Sequence, residues 1–188
     1  MPKGKDDRAQ RLLSGGKKCT GYLQDGRDTG GIVVCTVVYP VIFAFWDGEE
    51  KGLLGSIYFV QSCPFISQVK GYLNFDMIGR NNKPEQPQHV VYFYTAAHPV
   101  FGDWLKQDIA RYSLRLQPDY RAWDRPTGGS DNASFALCNI PIIWYHTDGH
   151  PDYHQPSDHT DRLNWEKMIE ITKAAFLNAW NLANENKY

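Results

Sequence analysis

Short β-branched and aromatic runs alternate with segments of helical period along most of this chain. Ile32 to Tyr39 and Val41 to Trp46 have the pattern of strands buried on both faces, with Pro40 separating them. Lys51 to Ser62 places apolar residues at helical spacing and stops before Pro64. Val69 to Phe75, Val90 to Tyr94 and Ile140 to Tyr145 read as further strands. Pro99 to Tyr112, Ser130 to Leu137 and Glu166 to Ala183 read as helices, and Asn81 to Gln88 as a polar loop. This alternation predicts an α/β fold, a three-layer sandwich with a mostly parallel, mixed central sheet flanked by helices. The terminal helix is expected to bury Ile169, Ile171, Phe176 and Ala179 against the sheet.

The 188 residues suit a single domain with a sizeable core. Residues 1–40 are rich in Lys, Arg, Asp and Gly in their first thirty positions and are expected to form an irregular segment, with the globular domain over 41–188. Aromatic residues make up 14% of the chain, which excludes wholesale disorder. A net charge of −1 gives no electrostatic reason for a nucleic-acid partner. The longest apolar candidate, Gly31 to Trp46, contains Pro40 and falls short of the ~20 residues of a membrane span. The charged N-terminal stretch lacks the apolar centre of a signal peptide, so no export signal is expected. Cys19, Cys35, Cys63 and Cys138 form no C-x-x-C pair and read best as free thiols.

Function in such a fold sits in loops at the carboxyl ends of strands. Three of these ends carry acidic residues or histidines. The first run, Phe43 to Glu50, ends in Asp47, Glu49 and Glu50. Crowded carboxylates at the end of an apolar strand call for a cation, or else the glutamates open the next helix. The second end carries Asp76, which needs a metal, backbone donors or a basic partner such as Arg80. The third, Thr147 to Asp158, packs His150 and His154 with aspartates around prolines. Histidine with neighbouring carboxylates is a common metal-binding arrangement, and the combined set suits zinc.

Five segments also resemble a known family. FAFWDGEEKGLLGS at 43–56, LNFDMIGR at 73–80, GGSDNASFA at 128–136, IPIIWY at 140–145 and HPDYHQPSD at 150–158 resemble metallopeptidase family twenty-eight, the di-zinc aminopeptidases. The resemblance covers residues 41–188 and implies a zinc-exopeptidase-like fold. It implies that Glu49 is the general base, that Glu50 and His154 bind one zinc, and that Asp76 binds the other. Asp131 matches the family's Ser-Asp-His motif, but Asn132 stands where the family has histidine, so this segment is expected to form a pocket wall. Tyr145 and Tyr153 are expected to be aromatic neighbours of the substrate. The implied reaction is hydrolysis of an N-terminal peptide bond by a metal-activated water, with a peptide or protein bearing a free N-terminus as substrate.

Two family ligands upstream of the glutamate pair find no match. No histidine precedes His89, and Asp6, Asp7, Asp25 and Asp28 lack the context of the family's metal-bridging aspartate. The stretch 8–40 departs from the family pattern, and an N-terminally truncated chain with an aberrant segment would read this way. The expected zinc content is therefore at most one, weakly bound, against two in the intact family, because stable sites need three or four protein ligands. The alternatives are a catalytically impaired fragment of the same fold and a peptide- or protein-binding module. Members of the family are often secreted or periplasmic. Nothing in the sequence sets an oligomeric state.

Overall fold

The computed structural model describes residues 37–123, 128–185 and 188. The expectations for residues 1–36, for Cys19 and Cys35, and for most of the Ile32–Tyr39 run lie outside the described residues. Four strands, β1 (Tyr72–Phe75), β2 (His89–Thr95), β3 (Gln117–Trp123) and β4 (Ile142–His146), form one sheet. Helices α1 (Leu54–Ser62), α2 (Val100–Tyr112), α3 (Asn132–Ala136) and α4 (Trp165–Asn184) accompany them. The strand order is β1-β4-β2-β3. β1 runs parallel to β4, β2 parallel to β3, and the central β2–β4 pair is antiparallel. The expected mixed, helix-flanked sheet is the one observed.

The period-2 alternation of the central strands explains the layers. Val90, Tyr92, Ile143 and Tyr145 point to one side, where they meet Phe101 and Leu105 of α2 and Ile171, Ala174 and Leu182 of α4. Val91, Phe93, Ile142 and Trp144 point to the other, where Phe135 of α3 and Phe59 of α1 close the second core. Both faces of β2 and β4 are thus apolar, which is why these strands read as continuous hydrophobic runs.

In three places the structure differs from what the sequence led us to expect, one of them a strand that the apolar pattern does not mark. Val41 to Trp46 is not a strand: it makes no ladder among the described residues, and Phe43 and Phe45 are 86% and 96% exposed. β-branched and aromatic residues favour a strand only where neighbours pack on them. Here only Trp46 finds such neighbours, the rings of Phe59 and Phe135. Strand β3 carries Pro118, Asp119 and Arg121, shows no apolar alternation and occupies a sheet edge, where proline is tolerated.

The third correction concerns α4. Ile171 is fully buried, but Ile169 and Phe176 are 55% and 65% exposed, and Ala179 is only partly covered. The buried stripe runs through Lys167, Glu170, Ile171, Ala174, Ala175, Asn178 and Leu182. Its polar members are each bonded. Lys167 Nζ donates to the Arg80 carbonyl, Glu170 accepts from Lys173 Nζ at 2.8 Å, and Asn178 Oδ1 accepts from Tyr92 and Tyr145. Counting apolar residues alone placed the buried face wrongly, because these three polar side chains occupy it. At the start of α4, the Asn164 side chain accepts from Lys167 N at 3.0 Å, and the Asn164 backbone N–H donates to the Gly79 carbonyl at 2.8 Å.

Two outcomes follow from this packing. Ile171→Ala should cost about 2–5 kcal/mol, whereas Phe176→Ala should stay within about 0.5 kcal/mol, as read from urea unfolding. Burial also pulls the Lys167 ammonium down to about 8 from 10.5. The unfolded chain then holds more protons than the folded one between those values, so stability rises with pH across that window. The penalty is fully present below pH 8 and is gone above the unfolded value. Thermal melts from pH 7 to 10 should show a rise that shrinks in Lys167→Met.

Candidate active site

The glutamate pair sits on a tight turn. Gly48 is left-handed at φ 68°, and Glu49–Lys51 forms one 3₁₀ turn. A Cβ on Gly55 would lie 2.8 Å from the Asp47 backbone, and Gly55 N donates to Asp47 O at 2.8 Å. Glycine at both places lets α1 start flush against the turn. The site is built where this turn meets the ends of β1 and β4.

Glu50 and His154 meet directly: Glu50 Oε1 lies 2.8 Å from His154 Nε2. Their side chains are 68% and 54% exposed. His154 is left-handed at φ 56° and its ring stacks on Tyr153 at 3.9 Å. The loop that carries it is fastened by Asp152. That buried carboxylate accepts from Arg80, from Ser157 Oγ at 2.6 Å and from Arg162 Nη1 at 3.2 Å. The Ser157 hydroxyl and the Arg80 guanidinium hold the Asp152 carboxyl well below the usual carboxylate range. Arg80 also bonds Asp158, so its guanidinium spans the loop and does not pair with Asp76.

Asp76 is placed by its backbone. His146 Nδ1 donates to its carbonyl at 2.9 Å, and its N–H reaches Tyr145 O at 3.4 Å. The next residue, Met77, is left-handed at φ 57°, and its carbonyl accepts from Thr147 Oγ1. Asp131 is buried at the start of α3, and its Oδ1 has no hydrogen-bond partner.

The electrostatics join these groups. Burial pushes the Glu49 carboxyl up from its ordinary value, and the charges of Asp76, Glu50 and Asp131 push it further, against the opposing effect of His154. A carboxyl raised in this way is a stronger base than an ordinary glutamate. Burial, together with Glu50, Asp76 and Glu49, likewise raises the Tyr153 hydroxyl. Tyr153, 47% exposed, thus borders the acidic cluster. Tyr145 does not: it is fully buried in the core, donates to Asn178 Oδ1 at 2.6 Å and stacks on Phe75. Its place on the inner side of β4 follows from the alternation that sends Trp144 the other way.

Zinc can be tested against these residues. Two ligands of one tetrahedral zinc, each at about 2.1 Å, stand about 3.4 Å apart. Glu50 and His154 are the right chemical pair, but at 2.8 Å they hydrogen-bond each other. No group of three His, Cys, Asp or Glu side chains among the described residues is arranged to hold a metal ion. The residues present supply half of a zinc site and do not complete one. Sequence reasoning missed His146 and Asp152, which fasten the loops. The signal for His146 was a polar residue ending an otherwise apolar strand.

The fold is an α/β sheet that carries an acidic turn and a histidine loop beside the ends of β1 and β4. The profile of Peptidase family M28 matches residues 35–178, and the chain belongs to that family. Zinc is the metal this family implies. The chain is 52% identical over 106 residues to leucine aminopeptidase 2 of Trichophyton rubrum, covering 54% of this chain and 21% of that protein. It is 26% identical over 178 residues to a probable leucine aminopeptidase 2 of Aspergillus oryzae, covering 80% and 35%. The crystal structure of the Legionella pneumophila LapA aminopeptidase matches 76% of this chain and 39% of its own, at 30% identity and a TM-score of 0.60. The chain thus spans about a fifth to two fifths of the length of these relatives.

The Glu50–His154 contact is exposed, so Glu50→Gln should change stability by less than about 1 kcal/mol. A thermal melt checks this, and a larger loss would show that the pair is structural.

Proposed function

We propose that residues 41–188 form part of an aminopeptidase centre that hydrolyses N-terminal peptide bonds, with Glu49 as general base. One observation carries the reading: a carboxyl raised by burial and by Asp76 stands on the same turn as the Glu50–His154 pair. In the reaction, water adds to the carbonyl carbon as Glu49 accepts its proton. The carbon–nitrogen bond then breaks, and Glu49 delivers the proton to the leaving amine. Tyr153 and Asp131 border the substrate, which is a peptide with a free N-terminus. Membership of Peptidase family M28 and the aminopeptidase relatives support this substrate class. Glu50 and His154 bind zinc, at most one per chain and weakly, because two ligands fall short of the three or four that a stable site needs.

Hydrolysis of leucine p-nitroanilide, assayed with added zinc, tests the activity. Glu49→Gln should lower kcat by about 10²- to 10⁴-fold with the melting temperature kept. Unchanged turnover would remove Glu49 from the reaction. The base acts only when deprotonated, so the acid limb of kcat/KM should lie above the ordinary glutamate value of 4.5. Metal analysis after dialysis should find no more than one zinc per chain, and His154→Ala should abolish what remains. Two tightly retained zinc ions would overturn the stoichiometry.

A further inference from the structure

A line of hydrogen-bonded polar side chains starts at Trp46, next to the acidic turn. Trp46 Nε1 donates to the Tyr72 hydroxyl at 3.0 Å, and that hydroxyl donates to Asn74 Oδ1, also at 3.0 Å. The Asn74 amide nitrogen then donates to Ser130 Oγ at 2.9 Å and to Asn132 Oδ1 at 3.4 Å. Asn74, Ser130 and Asn132 are all buried. Burial pushes the Tyr72 phenol far up, so it stays a neutral donor at any working pH. Its ring is fixed by stacking on Phe135 at 3.9 Å.

The ends of this line matter. Trp46 directly precedes the turn carrying Glu49, and Ser130 directly precedes Asp131. Alternation along β1 puts Tyr72 and Asn74 on the same face of the strand, and Asp76 directly follows its last residue, Phe75. Asn74 is therefore bonded toward two of the chain segments that carry the site and stands two residues from the third. Asparagine is a poor strand former, and a buried amide is tolerated only when its donors and acceptor are used. Here both are: Oδ1 accepts from Tyr72, and Nδ2 donates to Ser130 and Asn132.

We propose that Asn74 is a positioning residue, whose amide joins the Trp46–Tyr72 link to Ser130 and so sets Glu49 and Asp131 relative to Asp76. The inference rests on the proposed hydrolytic role of Glu49. Misplacing a reacting group by about 1 Å can cost about 10²-fold in rate without altering substrate binding.

The test uses Tyr72→Phe, which keeps the stack on Phe135 but removes the hydroxyl, and Asn74→Leu, which removes the amide. Two readouts are taken on the full chain: ¹H–¹⁵N spectra, with the Trp46 indole assigned by Trp46→Phe, and steady-state hydrolysis of leucine p-nitroanilide. In Tyr72→Phe the Trp46 indole resonance should shift and lose exchange protection. In Asn74→Leu the backbone amides of Gly48, Glu49 and Asp131 should shift together. Both variants should lower kcat by roughly 10- to 100-fold with KM kept within about twofold. An unmoved Trp46 indole in Tyr72→Phe overturns the link, and so do Glu49 and Asp131 amides unmoved in Asn74→Leu. Unchanged kcat in both variants of an active chain overturns the positioning role. Absence of hydrolysis by the unsubstituted chain overturns the proposed function instead, and the spectra still decide the link. Where Asn74→Leu fails to fold, Tyr72→Phe alone decides.

Discussion

Parallel pairing of β1 with β4 is the constraint on which the site depends. It sets Phe75 opposite Tyr145 and so brings the carboxyl ends of both strands to one point of the sheet. His146 and Thr147, leaving β4, then bond the carbonyls of Asp76 and Met77, leaving β1. Met77 is held in a left-handed conformation there, a cost that a β-region residue would not carry. Neighbouring strand ends are where open α/β sheets build their sites, because loops diverge there and leave a crevice.

Around this junction, buried polar groups are matched to charges or to backbone. Asp152 gathers Arg80, Arg162 and Ser157, which ties the His154 loop to the segment after Asp76. Lys167 reaches from α4 to the Arg80 carbonyl, and Asn164 bonds Gly79, so the same segment is held from the helix side. A loop fastened at so many points keeps a side chain such as His154 in place despite its own exposure. The acidic cluster itself is left short of cations: Asp76 makes no ion pair among the described residues, and the Asp131 Oδ1 has no partner. Burial raises the Glu49 carboxyl, and that imbalance raises it further.

The opposite extreme is the stretch 41–46. It has the composition of a core strand, yet Phe43 and Phe45 lie in solvent, because no ladder among the described residues uses its backbone. Its last residue escapes this fate. Trp46 has two ring neighbours and a hydrogen-bond acceptor in Tyr72. The turn that follows therefore begins from an anchored residue.

The sequence by itself determined the elements whose burial depends on their own pattern. β2, β4 and α2 lie where apolar periodicity put them, because each buries enough of its own surface to settle its type, and α1 forms in the expected place although Ser56 is its one buried residue. It also singled out Glu49, Glu50, Asp76 and His154, the residues of the proposed site, as acidic and histidine groups next to apolar runs. Tertiary structure decided the rest. Edge strand β3 owes its place to pairing with β2, not to its own composition. The buried face of α4 turned on bonds made by Lys167, Glu170 and Asn178 to residues far away in the chain. Tyr145 went to the core because the pleat of β4 sent it there, while Glu50 met His154 because two loops 104 residues apart converge. Periodicity reports what a segment buries, but which polar groups find partners is a property of the assembled fold.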